Sequence, residues 1–187
     1  MADMRARLLF LAIFLGATAL AQGCAPVIVA GGATAAVAAT DRRTVGALVD
    51  DKAIELKARK ALNSDPDIGD EVHVNINSLN GIVLLTGETT TAELRDRVLG
   101  LVRDIPGIRS VVNEVRVAEP RAFAYTTNDG WITGKVKAKL LGTENLPSNQ
   151  IKVVTENSVV YLMGLVTQKE GELAAETFAP VAELDRA

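Results

Sequence analysis

A chain of 187 residues with 20 Lys and Arg against 23 Asp and Glu carries a net charge of −3, which excludes general affinity for nucleic acid or anionic surfaces; such binding needs a local basic patch. A single cysteine allows no internal disulfide, and the single histidine, His73, has no acidic or thiol partner at ligand spacing, so no metal site or cofactor is expected. The apolar share, 48%, is that of an ordinary folded protein.

At the N-terminus, Arg5 and Arg7 precede an uncharged run from Leu8 to Ala21, which has the length of a signal-peptide core and is short for a membrane span. Leu20-Ala21-Gln22-Gly23-Cys24 resembles the junction at which bacterial lipoproteins are cleaved and acylated, although Ala21 stands where Leu is usual. Residues 1–23 therefore read as a lipoprotein signal peptide and Cys24 as the acylated anchor. The alternatives are a free cysteine behind an ordinary secretory signal, and an uncleaved span extended through Ala25 to Thr40. Lipoproteins retained at the inner membrane typically carry Asp after the cysteine; Ala25 implies the inner leaflet of the outer membrane, facing the periplasm. Each buried methylene contributes about 0.8 kcal/mol, so several chains, such as palmitate, anchor stably where one does not. Residues 24–46, with Gly31-Gly32 and many Ala and Thr, read as a flexible tether. Removing Asp3, Arg5 and Arg7 with the leader makes the remainder one charge more negative.

From residue 47 the pattern becomes that of a folded module. Ile54, Ala58, Ala61 and Leu62 fall at helical spacing behind Asp50 or Asp51, either of which is a suitable N-cap. Val72, Val74 and Ile76 alternate with His73, Asn75 and Asn77, and Asn80-Gly81 supplies a tight hairpin into Ile82 to Leu85. Leu94, Val98, Leu101 and Val102 then form a second helical stripe, stopped by Pro106-Gly107 ahead of a strand over 108–117. The expectation for residues 47–118 is an α+β module, two helices on a three-stranded mixed sheet. Residues 119–127, with Phe123 and Tyr125, read as a linker. Residues 128–187 repeat the pattern: 51–62 align with 129–140, and Val74 to Gly87 with Ile151 to Gly164.

The repeated unit resembles the BON domain of bacterial envelope proteins, on Gly87, Gly107 and Val111-Val112-Asn113. The likeness to the dual-BON outer-membrane lipoproteins extends to Ala39 to Arg43, Val45-Gly46, Asn128 to Thr133, Val153 to Asn157 and Leu162 to Thr167. That resemblance implies a non-enzymatic protein that binds anionic phospholipid, concentrates at division sites, and supports outer-membrane integrity and the control of peptidoglycan-remodelling proteins. One departure stands at the end: the second module offers Glu183-Leu184-Asp185 where a Gly and a final strand are expected, so the closing strand of the second sheet is read as missing.

On a helical wheel Ile132, Val136 and Leu140 form the core stripe of the second module's first helix, 129–141, which throws Trp131 outward beside Gly134, Lys135 and Ala138. An indole favours the headgroup level of a bilayer, and Lys135, Lys137 and Lys139 outnumber Asp129 locally. The family resemblance implies lipid contact by this same helix, so Trp131, Gly134, Lys135, Ala138 and Lys139 are the expected phospholipid-binding residues. The bland alternative buries Trp131 between the modules. The first module has Ala53 at the Trp position and Glu55 in the outward turn, so it is expected to bind lipid poorly and to pack against its twin or another envelope protein. His73 is expected to face solvent. Asp50-Asp51, Asp65-Pro66-Asp67 and Asp70-Glu71 read as caps and turns rather than a catalytic pair, and no nucleophile motif is evident, so no enzymatic role is expected. The runner-up function is a periplasmic adaptor or chaperone-like module with Trp131 in a partner's pocket.

Overall fold

A computed structural model describes residues 41–69, 71–119 and 124–184, leaving out side chains at 124–127 and 178–184. Cys24, the leader and residues 24–40 of the expected tether lie outside the described residues, as does Phe123. The architecture is α+β. In the first module, α1 (Val45–Ser64), β1 (Val72–Leu79), β2 (Ile82–Thr89), α2 (Ala92–Arg103) and β3 (Ser110–Val117) follow in order. The sheet order is β1-β2-β3, with β1 antiparallel and β3 parallel to the central β2. Parallel pairing forces a crossover, and α2 supplies it on the face already covered by α1. Ile54, Ala58 and Leu62 of α1, Val98 and Val102 of α2, and Val83 and Leu85 of β2 meet there, each at most 6% exposed.

Thr44 rather than Asp50 or Asp51 caps α1, its Oγ1 accepting from the Ala47 N–H at 3.1 Å, so the helix begins at Val45. Asp51 therefore sits inside the helix, and it is buried. Its carboxylate accepts from the N–H groups of Asn80 (2.7 Å) and Gly81 (2.9 Å) and from the Ser78 hydroxyl (2.7 Å). Those amides belong to a turn in which Asn80 and Gly81 have φ of 52° and 75°, the conformation expected of a tight hairpin. Asp51 thus holds the tip of the hairpin onto α1. Gly87 is required by contact: at φ 116° a Cβ would lie 2.0 Å from the His73 carbonyl oxygen.

The second module contains α3 (Ala124–Leu141), a 3₁₀ turn at Ser148–Gln150, β4 (Ile151–Glu156), β5 (Val159–Gly164) and α4 (Gln168–Leu184). Helix α3 begins five residues before the expected Asp129 and takes in 124–127, read from sequence as linker. Among the described residues its sheet is the antiparallel pair β4–β5, in keeping with a missing closing strand. Among the described residues, Ile132, Val136 and Leu140 of α3, Leu146, Val153 of β4 and Ala174 of α4 form its core. The hairpin is held as in the first module: Asp129 accepts from the N–H groups of Asn157 (2.9 Å) and Ser158 (2.8 Å), both at positive φ.

The β4–β5 hairpin bonds across to the first module. Lys152 Nζ lies 3.0 Å from Glu55 Oε1, Asn75 Nδ2 donates to Glu156 Oε2 at 2.7 Å, and the Asn157 amide donates to Glu88. The segment before α1 joins in. Arg42 makes a bidentate pair with Glu170 (2.6 and 2.8 Å) and donates its backbone N–H to Gln150 Oε1, while Arg43 binds Asp41 and reaches Asp51 at 3.3 Å. Between the modules an apolar cleft of about 490 Å³ is lined by Leu84 and Val112 on one side and Leu162 and Met163 on the other.

Candidate functional site

Helix α3 carries the expected site. Its inner stripe is buried as anticipated, with Ile132, Val136 and Leu140 each at most 3% exposed. Thr133 adds a hydroxyl bond to Thr155 of β4 at 2.7 Å, which fixes the helix rotation about its axis. With the inner stripe set, the opposite crest follows from helical geometry.

Trp131 lies on that crest, 56% exposed, and so does not fill a crevice between the modules. A Cβ on Gly134 would meet nothing within 4 Å, and Ala138 is exposed, so the flank of the indole is open. The Lys135 ammonium, one turn on, sits 3.2 Å from the Trp131 ring centroid, a cation–π contact that orients both groups. Lys137 and Lys139 are exposed on either side. The Asp129 carboxylate keeps its charge but is turned toward the hairpin amides, so the lysines are the charged groups of the outward face.

Sequence reasoning missed Leu141. At 73% it is more exposed than any other large apolar residue described, and at i+10 from Trp131 it stands about 80° around the helix on the same outward face, about 15 Å along the axis. The signal was present: Leu140-Leu141 at a helix end places one leucine in and one out once the core stripe is assigned. That face then reads Trp131, Gly134, Ala138, Leu141, two apolar anchors separated by residues too small to hold the backbone away from a flat surface.

The first module differs from expectation at the matching place. Glu55, expected to point outward, is buried at 6% exposure. It accepts from the Ser78 N–H at 3.0 Å and pairs with Lys52 at 2.8 Å and Lys152 at 3.0 Å. Burial alone would raise its pKa, but the bonds from Lys52, Ser78 and Lys152 outweigh it and hold the carboxyl at about 2. Glu55 is turned inward because it stands one turn after Asp51 on the side of α1 that packs against the hairpin. His73 is exposed, as expected of its strand position. Asp65 accepts from the Asp67 N–H at 3.0 Å and pairs with Arg97, the turn role read from sequence. Among the described residues, no group of three or more His, Cys, Asp or Glu is placed to hold a metal ion, and no helix is long and apolar enough to cross a membrane.

Two sheet-and-helix modules, each with a helix carboxylate gripping a hairpin turn and a glycine late in the second strand, define a tandem of small α+β domains. Residues 50–119 and 128–183 match the BON domain, and the chain belongs to the BON-domain family. Among curated proteins it is similar to the outer membrane lipoprotein DolP of Haemophilus influenzae, 38% identical over 92% of this chain and 89% of that one. It is also similar to a 21 kDa hemolysin of Actinobacillus pleuropneumoniae (32% identical; 73% and 70% covered). A third relative is the osmotically-inducible protein Y of Escherichia coli (27%; 74% and 70%).

Proposed function

We propose that this chain is a lipoprotein held in the inner leaflet of the outer membrane by acyl chains on Cys24, facing the periplasm, and that its second module docks on anionic phospholipid through α3. In that place it supports envelope integrity, at division sites and through peptidoglycan-remodelling proteins, without enzymatic chemistry. The observation that carries the docking reading is the outward face of α3, with Trp131 at 56% and Leu141 at 73% exposure on a helix bearing Lys135, Lys137 and Lys139. Similarity to a protein named as an outer membrane lipoprotein supports the anchor and its location.

Energetically the site is modest. Each lysine near an anionic surface contributes about 1 kcal/mol, and burying a leucine side chain fully about 1.5–3 kcal/mol, of which an interfacial position realises part. Affinity of that order suffices when an anchor already confines the module beside the bilayer and raises its effective concentration. Trp131 is the only tryptophan, so its emission reports docking directly. Adding vesicles containing phosphatidylglycerol should shift that emission to the blue and shield it from aqueous quenchers, with salt weakening the effect and zwitterionic vesicles giving little. Emission unchanged by anionic vesicles would refute the reading.

One observation favours a second reading, a periplasmic adaptor that binds protein segments. The apolar cleft between the modules runs beside β5, and among the described residues β5 pairs only with β4, leaving an edge that an extended peptide could join. Capture of envelope proteins by a chain that ignores every vesicle would favour it.

A further inference from the structure

The first module is expected to bind lipid poorly because Ala53 stands at the Trp position and Glu55 is read as facing outward; Ala53 remains, yet both Glu55 and Asp51 are buried and engaged. Their removal from the surface changes what α1 presents. Opposite the buried Ile54 and Ala58 stand Val45 at 62%, Val49 at 62% and Leu56 at 70% exposure. At 100° per residue these three fall within about 40° of one another, so they make one apolar crest about 16 Å long. Lys57, Arg59 and Lys60 are exposed beside its C-terminal half. Lys52, 76% exposed at its side chain, stands on the crest itself while pairing with Glu55. Asp50 is the only exposed acid of the helix.

We propose that α1 is a second membrane-docking surface, an apolar crest bordered by cations that lies on an anionic lipid bilayer. Charge complementarity selects this occupant. The whole chain is acidic, at −3, while this one face combines exposed aliphatic side chains with three unburied cations, the composition of a helix that lies in the headgroup plane. A protein partner reached through aliphatic contacts alone would not need the basic border. Position agrees: α1 is the first described element after Cys24, and the intervening twenty or so residues can extend no further than about 70 Å. The inference rests on the membrane reading above but concerns a different helix, so the two can fail separately.

Cys24 is the only cysteine, so once it is acylated a Leu56→Cys chain carries one free thiol for an environment-sensitive fluorophore. The full chain, reconstituted through its own anchor, is compared in vesicles with and without phosphatidylglycerol. A probe at residue 56 should shift to the blue and be quenched by lipid-borne quenchers only in the anionic vesicles. Reversing Lys57, Arg59 and Lys60 to Glu should remove most of that shift while leaving the Trp131 signal in place. A probe that stays aqueous in anionic vesicles while Trp131 reports docking overturns the α1 proposal alone; loss of both signals overturns the membrane reading with it. A probe shielded only when soluble envelope proteins are added, and unmoved by lipid, would assign the crest to a protein partner and also overturn it.

Discussion

The first helices of the two modules, α1 and α3, are copies of one element that have put their polar residues to different use. Both spend an aspartate, Asp51 or Asp129, on the two amides of a hairpin turn. One turn on they diverge: α1 places Glu55 against Ser78 and the second module's Lys152, whereas α3 places Thr133 against Thr155 within its own module. A carboxylate at that position needs cations, and it takes one from its own helix, Lys52, and one from the twin, Lys152. The same repeat position therefore serves as a local tie in one module and as a bridge between modules in the other. The outward crests diverge as well, an indole with small neighbours on α3 and aliphatics with a basic border on α1.

Gly87 of β2 and Gly164 of β5 give the largest contrast. Gly87→Ala would push a Cβ to within 2.0 Å of a carbonyl oxygen at positive φ, and should cost on the order of 4 kcal/mol or prevent folding of the first module. Gly164→Ala brings its Cβ only to 2.8 Å from the Gln150 carbonyl and should cost less than half as much. Urea melts of the two variants should rank in that order; equal midpoints would mean that the two positions are not differently strained.

Asp51→Ala comes next. It strands two turn amides and a buried hydroxyl, which should lower stability by about 3 kcal/mol, against about 1 kcal/mol for Asp129→Ala, whose Ser158 bond is exposed. Thermal denaturation checks the pair, and an Asp129 variant at least as damaging as the Asp51 one would break the comparison.

Glu55 sharpens it further through pH. Its folded pKa, about 2, lies below its ordinary value of 4.5, so its contribution is complete above pH 4.5 and is lost as pH falls toward 2. Acid should therefore loosen the contact between modules before it unfolds the first core, seen as lower hydrogen-exchange protection factors, corrected for the intrinsic pH dependence of exchange, at Lys152 and its neighbours. Glu55→Gln should flatten that dependence; an unchanged acid profile in this variant would remove Glu55 as its source. The smallest expected effect on stability belongs to Trp131→Glu. An exposed substitution should shift the melting point by no more than a degree or two while weakening binding to anionic vesicles at least tenfold. A large loss of stability would mean that the indole is structural after all.

Much of this was legible in the chain because it depends on neighbours in sequence. Alternation over 72–77, the Asn80-Gly81 turn and the stripe Ile132, Val136, Leu140 are short-range patterns, and each forms as read. Trp131 faces outward because the stripe that excludes it is set by the same 3.6-residue period. The start of α1 was misplaced because Thr44 and Asp50 are both acceptable caps, and only packing chooses between them. What no local rule contains is the pairing of Glu55 with Lys152, 97 residues away, or the clasp of Arg42 on Glu170. Sequence determined the two modules, their hairpins and the helix that carries the tryptophan; tertiary structure alone decided which acids are turned inward and so what each helix shows to its surroundings. The physical reason is that a charged side chain is buried only where partners compensate it, and for Asp51 and Glu55 several of those partners arrive from the hairpin or from the second module, which is a property of the folded chain.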